Sequence, residues 1–257
     1  MSDSTQFENT LERLLEESGN SVASRPHFYR ELLLSNVLII PHGAIEESDD
    51  PGRQTATLKM AAISHEGVDY VPFFIAEKFL PRETKYLSLP AKTFFEITKG
   101  SHLILNPGAQ FGKTFSPEEV EKLLTGKMFE VEKEFQVKNS AEVIIGNPKE
   151  IPDRLLPELS RFFRSEDSVL RAWLGWYHNP ELEKEPGYLL AIETTRSVDF
   201  RALAGRVSLV LKEVGTNGRY CDVVQYSGQG ITGYFRSTHP FYAKPLWARL
   251  KGGLLGW

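Results

Sequence analysis

The sequence predicts an α+β fold with two domains. Its 257 residues fit one or two domains of ordinary size. Helical and strand-like apolar patterns alternate along the whole chain, which favours mixed structure over an all-helical or all-strand fold. Charge divides unevenly, with a net charge of −6 over residues 1–138 and +2 over residues 139–257. A polar stretch at 129–141 separates the two parts, so we expect one domain over residues 1–130 and a second over residues 140–257.

The first domain is predicted to be a small α+β unit. Apolar periodicity predicts helices over 5–18, from Ser24 onward and over 91–98. Gly19 is expected to cap the first helix. Buried strands are predicted at 37–40, 57–63, 69–75 and 102–105. The residues at 116–119, Ser-Pro-Glu-Glu, form a capping box that begins a helix ending at Gly126.

The second domain is predicted to have the order β-α-β-β-α-β. The elements are a strand at 143–145, a helix at 155–164, strands at 169–177 and 188–194, a helix at 200–214 and a strand at 221–226. Pro157 is compatible with the first helix only within its first turn. This order is typical of a ferredoxin-like domain, in which two helices cover one face of a four-stranded antiparallel sheet.

Composition excludes several classes of protein. A single cysteine, Cys221, cannot form an internal disulfide, and we expect it to be buried in a strand. The N-terminus lacks the features of a secretory signal and no apolar run is long enough to cross a membrane, so a cytoplasmic location is expected. The pI of about 5.9 makes a nucleic-acid partner unexpected.

Two glycine-rich motifs resemble nucleotide-binding loops without matching them. In Gly-Ala-Gln-Phe-Gly-Lys-Thr at 108–114, Pro107 occupies the first glycine position of a phosphate loop, and the helix begins only at Ser116. The motif Gly-Gln-Gly-Ile-Thr-Gly at 228–233 lacks the following helix and the acidic residue of a dinucleotide site. We interpret both motifs as turns, and Lys113 as a candidate for weak anion binding.

No catalytic, metal or cofactor site is indicated by residue spacing. The histidines are not spaced as metal ligands, and no serine lies in a nucleophile elbow. The sequence therefore predicts no catalytic residue, no bound metal and no cofactor.

The C-terminal segment is unusual, because residues 223–257 carry four basic residues and no acidic one. Its aromatic residues Phe241, Tyr242 and Trp247, with His239, are candidates for binding a ligand or partner. Two interpretations remain open. The aromatic residues either pack against the domain as its last element, or contact a protein partner or a membrane surface.

Three segments together resemble a known family. They are Phe-Tyr-Arg-Glu-Leu-Leu-Leu-Ser at 28–35, Phe-Phe-Glu-Ile-Thr-Lys-Gly at 94–100 with the segment that follows it, and Ile-Thr-Gly-Tyr-Phe at 231–235 with His-Pro-Phe-Tyr at 239–242. In this order they resemble the bacterial enhanced serine sensitivity protein B (SseB) family. The resemblance implies an N-terminal and a C-terminal domain and a link to amino-acid metabolism or its regulation, but no catalytic residues.

Three functions are compatible with the sequence. The first is a non-enzymatic protein that binds a partner or a small ligand. The second is an enzyme with a dispersed site for an amino acid or phosphorylated metabolite, with Lys113, Arg53 or His239 binding the anion. The third is an assembly module that self-associates through the open face or edge of the second domain's sheet. The fold alone does not choose among them.

Overall fold

The computed structural model describes residues 3–42, 46–47, 56–57, 59–129, 143–178 and 185–245. The chain divides into two compact units, Met1–Met128 and Phe129–Trp257. Each unit contains helices and a sheet, which confirms the predicted α+β class with two domains.

The first unit contains four helices and eight strands within the described residues. The helices are α1 (Asp3–Asn20), α2 (Arg25–Leu34), α3 (Ala91–Ile97) and α4 (Pro117–Thr125). The strands are β1 (Asn36–Ile39), β2 (Glu46–Glu47), β3 (Ala56–Thr57), β4 (Ile63–His65), β5 (Val68–Phe74), β6 (Leu87–Pro90), β7 (His102–Leu105) and β8 (Lys113–Phe115).

The main sheet of the first unit has the strand order β6-β1-β5-β7-β8, and β4 pairs with β5. β5 and β7 are parallel and are connected through α3, whereas the other pairs are antiparallel. The core beneath the sheet is aromatic. Fully buried Phe73 contacts Phe94, Phe95 and Phe115, with ring centroids 5.1–5.8 Å apart.

The second unit contains two helices and five strands within the described residues. They are β9 (Ile144–Gly146), α5 (Leu155–Ser165), β10 (Val169–His178), β11 (Gly187–Thr194), α6 (Phe200–Val214), β12 (Cys221–Gln225) and β13 (Tyr242–Ala243). The strand order is β12-β11-β10-β13, with β9 also on β10. β11 and β12 are parallel, and the remaining pairs are antiparallel.

The ferredoxin-like arrangement of the second unit is not confirmed. The order of elements is β-α-β-β-α-β as predicted, but α6 connects two strands that are direct neighbours. No position is therefore left between these strands for β9, which instead pairs with β10. The split βαβ unit of a ferredoxin-like sheet requires such an inserted strand.

The two units share one order of elements around a parallel strand pair, apart from insertions in the first unit. A helix, a strand, an antiparallel neighbour, a second helix and a parallel strand occur in this order as α2-β1-β5-α3-β7 and as α5-β10-β11-α6-β12. In the first unit, β2, β3 and β4 are inserted between β1 and β5, and β6 is inserted before α3. The sequence shows no internal repeat, because each unit fills this arrangement with different core side chains.

Packing on one face of the second sheet depends on glycine. Phe235, from a 3₁₀ segment at Gly230–Ser237, packs against Trp173, Tyr177, Leu189 and Ala191. A Cβ on Gly175 would lie 2.9 Å from the Phe235 ring, so the missing side chain makes room for that ring.

Candidate functional site

One concave surface of the first unit lies where two parallel strands end. The residues after β5 form a 3₁₀ turn at Glu77–Phe79, and those after β7 form a loop at 106–112. Because β5 and β7 are parallel, both segments leave the sheet at its carboxyl edge, which is where α/β sheets commonly bind ligands. One side of α1 faces the same space.

These three segments enclose an open cleft of about 320 Å³. Its lining residues are Glu12, Arg13, Leu15, Glu16, Lys78, Phe79, Gln110 and Phe111. The lining contains two carboxylates and two cations, so its formal charge is balanced. The aromatic residues Phe79 and Phe111 supply apolar surface beside these charges.

The cations of the cleft already have partners. Lys78 Nζ forms an ion pair with Glu12 of α1 and lies 5.1 Å from the centroid of the Phe79 ring. Arg13 pairs with Glu17 at 2.5 Å. Exposed ion pairs of this kind contribute roughly 0–1 kcal/mol each, so a ligand that offers equivalent charges can replace one partner at little cost.

The loop at 106–112 is held by Asn106. This residue has a φ of +47°, is almost fully buried, and its side-chain oxygen accepts a hydrogen bond from the Ile75 amide at 3.2 Å. Its Nδ2 has no hydrogen-bond partner among the described residues. Gly112 is required for close packing, because a Cβ there would lie 2.7 Å from the Leu105 carbonyl oxygen.

Lys113 lies in a strand and not in a solvated loop. It begins β8, and its Nζ is 2.8 Å from Glu119 Oε1, which also accepts a hydrogen bond from the Tyr29 hydroxyl at 3.1 Å. Its ammonium lies 4.9 Å and 5.7 Å from the ring centroids of Phe115 and Tyr29. The interpretation of the motif at 108–114 as a turn is therefore wrong at Lys113, which is a strand residue. A role in anion binding stays a prediction.

The aromatic candidates of the second unit lie in different environments. Tyr242 is buried in β13, and its hydroxyl donates to the Phe163 carbonyl at 2.9 Å. Phe241 is partly buried, 6.2 Å from the Phe163 ring, whereas His239 is exposed. Trp247 lies outside the described residues. The environments of Phe241 and Tyr242 agree with the interpretation in which these residues pack against their own domain.

One basic residue near this end, Lys244, is also engaged internally. Lys244 Nζ contacts the carbonyl and carboxylate oxygens of Asp167 at 2.9 and 3.0 Å. This pair ties the residue after β13 to the segment before β10.

The turn predicted at 228–233 is confined to the start of the motif, because a 3₁₀ helix already begins at Gly230. Thr232 is buried, its hydroxyl donates to the Gln229 carbonyl at 2.8 Å, and it accepts from the Ser227 amide at 3.2 Å. The segment continues as a 3₁₀ helix through Ser237, and Phe235 fills the core below it.

Cys221 is not activated for chemistry. Burial raises the pKa of its thiol, and the neighbouring Asp222 carboxylate raises it further. A reactive cysteine requires the opposite shift, because the thiolate is the nucleophile. Cys221 lies in the strand β12, as expected, but it is only partly buried; its raised thiol pKa fits a structural residue.

Comparison with known proteins identifies the family. The profile described as "SseB protein N-terminal domain" matches residues 11–122, and "SseB protein C-terminal domain" matches residues 137–244. The chain belongs to the SseB family.

Two curated relatives of this SseB-family chain carry the name "Protein SseB". They come from Escherichia coli (strain K12) and Shigella flexneri, and each is 26% identical over 199 residues, covering 76% of both chains. No solved structure matches the chain.

Metal-binding clusters and membrane-spanning helices are both absent from the described residues. Among them, no group of three or more histidine, cysteine, aspartate or glutamate side chains is placed to hold a metal ion. No helix in the described part of the chain is long and apolar enough to cross a membrane.

Sequence reasoning missed the cleft of this SseB-family protein. Its residues come from α1, the 3₁₀ turn and the loop at 106–112, and each segment alone has an ordinary polar composition. The only feature that could have indicated the cleft was the strand topology. A strand, a helix and a parallel strand place two loops at one sheet edge, but that pairing cannot be read from periodicity.

Proposed function

We propose that this SseB-family protein is a cytoplasmic binding protein with a regulatory role, linked to amino-acid sensitivity and to serine in particular. The observation that carries the proposal is the cleft at the carboxyl edge of β5 and β7, with its balanced charges and two phenylalanines. Cytoplasmic location and the link to serine come from the family resemblance and from composition, and they are part of the proposal.

A small zwitterion is the ligand class that this lining favours. A free α-amino acid carries one ammonium and one carboxylate, which match the carboxylates of Glu12 and Glu16 and the cations of Arg13 and Lys78 in the lining. Binding then exchanges internal ion pairs for ligand contacts and leaves no charge unpaired. A purely anionic ligand would separate Lys78 from Glu12 and leave that carboxylate without its partner.

The cleft volume agrees with a ligand of this kind. A volume of about 320 Å³ lies at the lower end of the range of small-molecule sites, which begins at roughly 300 Å³. Phe79 and Phe111 add the apolar contact that a hydrocarbon side chain or backbone of the ligand needs.

Thermal-shift measurements with all twenty amino acids test this proposal. At least one amino acid is expected to raise the melting temperature, because a ligand that binds the native state stabilises it by mass action. The corresponding amine and carboxylic acid, each lacking one charge, are expected to give much smaller shifts.

Lys78→Ala and Lys99→Ala form a matched pair for the same measurement. Both lysines are 60% exposed and both pair with a glutamate, but only Lys78 lines the cleft. The shift should disappear in Lys78→Ala and persist in Lys99→Ala. Equal shifts in both variants, or none in the wild type, would contradict the proposal.

A further inference from the structure

The strand β12 forms one edge of the second unit's sheet. It pairs with β11 on one side, and within the described residues no strand pairs with its other side. An unpaired edge presents a row of backbone N–H and C=O groups that another strand can bind.

The hydrogen bonds to β11 show which groups face outward. Tyr188 donates its amide to the Tyr220 carbonyl at 2.9 Å, and Tyr226 donates its amide to the Ile192 carbonyl at 2.8 Å. In a parallel pair every second residue bonds to the neighbouring strand, so Asp222 and Val224 continue this series. The amides and carbonyls of Cys221, Val223 and Gln225 therefore point away from the sheet.

The other edges of the two main sheets are shorter or carry residues that hinder pairing. β6 has four residues and ends in Pro90, and β8 has three and begins with Lys113. β9 has three residues, and β13 has two and is followed by Lys244. β12 has five residues without proline, lysine or arginine. Natural edge strands are usually protected by such residues or by being very short.

The charged residue of β12 does not protect the edge. Asp222 accepts a hydrogen bond from the Tyr177 hydroxyl of β10, so its carboxylate lies over the face of its own sheet and not beyond the edge. The other side chains of β12 are uncharged; they are Cys221, Val223, Val224 and Gln225.

We propose that β12 pairs antiparallel with β12 of a second copy of this chain, about a two-fold axis at Val223. In this register Val223 faces Val223, Cys221 faces Gln225, and the outward-facing groups of both strands bond to each other. Asp222 faces Val224 and not another carboxylate, so the edge is self-complementary in charge. The two sheets become one continuous sheet.

Sedimentation velocity over a wide concentration range tests the proposal. The wild-type chain is expected to be dimeric at high concentration. Val223→Pro removes one outward N–H without removing a bond to β11, and it is expected to be monomeric. Val223→Thr keeps the backbone group and a similar shape, and it is expected to remain dimeric.

A second variant covers the case in which Val223→Pro does not fold. Gln225→Pro removes an outward N–H at an exposed position and should also weaken the dimer. Hydrogen exchange gives an independent readout, since protection of the Val223 amide should rise with protein concentration. A wild type that is monomeric throughout, including one that binds only a foreign extended peptide, would overturn the proposal. So would a dimer that survives both proline variants.

Discussion

Two helical glycines differ in what an added Cβ would contact. Gly205 lies in α6 where an added Cβ would overlap the backbone carbonyl oxygen of Phe129. Gly19 lies in α1, which continues to Asn20 and so corrects the prediction that Gly19 caps the helix. A Cβ on Gly19 would lie 3.8 Å from the Phe111 ring, an ordinary contact.

Alanine at these positions is therefore expected to change stability with opposite sign. Gly19→Ala should stabilise the protein by up to about 1 kcal/mol through helix propensity. Gly205→Ala should destabilise it by about 1–3 kcal/mol, because a backbone clash cannot relax by rotating a side chain. Urea denaturation measures both, and a stabilised Gly205→Ala protein would show that α6 and Phe129 are not in close contact.

Cys221 gives the protein a pH dependence in the alkaline range. Its pKa is raised in the folded state by burial, whereas an unfolded cysteine has a pKa of about 8.5. Below that pH both states carry the thiol and there is no penalty. Above it the unfolded state ionises while the folded state does not, so the free energy of unfolding falls as pH rises.

Thiol titration with a disulfide reagent at pH 8 checks this environment. The native thiol should react much more slowly than the thiol in urea, and Cys221→Ala should show a smaller loss of stability between about pH 8.5 and 10. Native reactivity equal to that of the unfolded chain would mean that the thiol is not buried.

Lys113 is expected to contribute modestly to stability. Lys113→Ala removes the ammonium between two rings and the partner of Glu119, at a cost of about 1 kcal/mol. Lys113→Met keeps the aliphatic stem and should lose less stability than Lys113→Ala. Denaturation curves compare the two variants, and an Ala variant as stable as the wild type would show that these contacts of Lys113 add no stability.

At the scale of elements, one ion pair connects the two helices of the second unit. Arg206 of α6 binds Glu166, the C-cap residue directly after α5, through two contacts of 2.8 and 2.9 Å. Both side chains are largely buried, with 17% and 9% exposed. A two-pronged contact of this geometry needs the planar guanidinium group.

Removing the guanidinium should cost more than a typical surface substitution. Arg206→Ala leaves a buried carboxylate without its partner and is expected to cost about 3–5 kcal/mol. Arg206→Lys should retain part of the stability that the pair contributes. Lys122→Ala, which removes an exposed pair on α4, should change the free energy of unfolding little. Similar small effects for Arg206→Ala and Lys122→Ala would indicate that the buried pair adds no stability.

Elements with their own apolar pattern or cap were predicted from sequence, whereas elements defined by pairing with another segment were not. The helix at 200–214, the strand at 102–105 and the start of α4 at its capping box agree with the structure, and the Ser116 hydroxyl accepts from the Glu119 amide at 3.2 Å. Pro157 occupies the first turn of α5, as required. Each of these segments carries its own apolar pattern or cap.

β8, β13 and the 3₁₀ segment at 230–237 have two to eight residues and depend on distant partners. Lys113 is a strand residue because it pairs with Leu105, and Tyr242 because it pairs with Ala172. Local propensity carries no information about such pairings, since a partner lies elsewhere in the chain. The same reason hid the cleft, whose residues are separated by as many as a hundred positions.

At the scale of the whole molecule, one arrangement of elements is used twice with different exposed features. In the first unit the parallel pair β5 and β7 opens into the cleft lined by Lys78 and Phe111. In the second unit the parallel pair β11 and β12 places β12 at an edge that no other strand of the described residues covers. We therefore assign ligand binding to the first unit and self-association to the second, as separate proposals.

The central claim is that the cleft binds a zwitterionic amino acid. Nuclear magnetic resonance of the ¹⁵N-labelled chain, titrated with the amino acid that gives the largest thermal shift, tests it most directly. Saturable shifts of the backbone amides of Glu12, Lys78 and Phe111, absent in Lys78→Ala and retained in Lys99→Ala, are the predicted result. Shifts confined to residues outside the cleft, or no saturable shift with any amino acid, would contradict it.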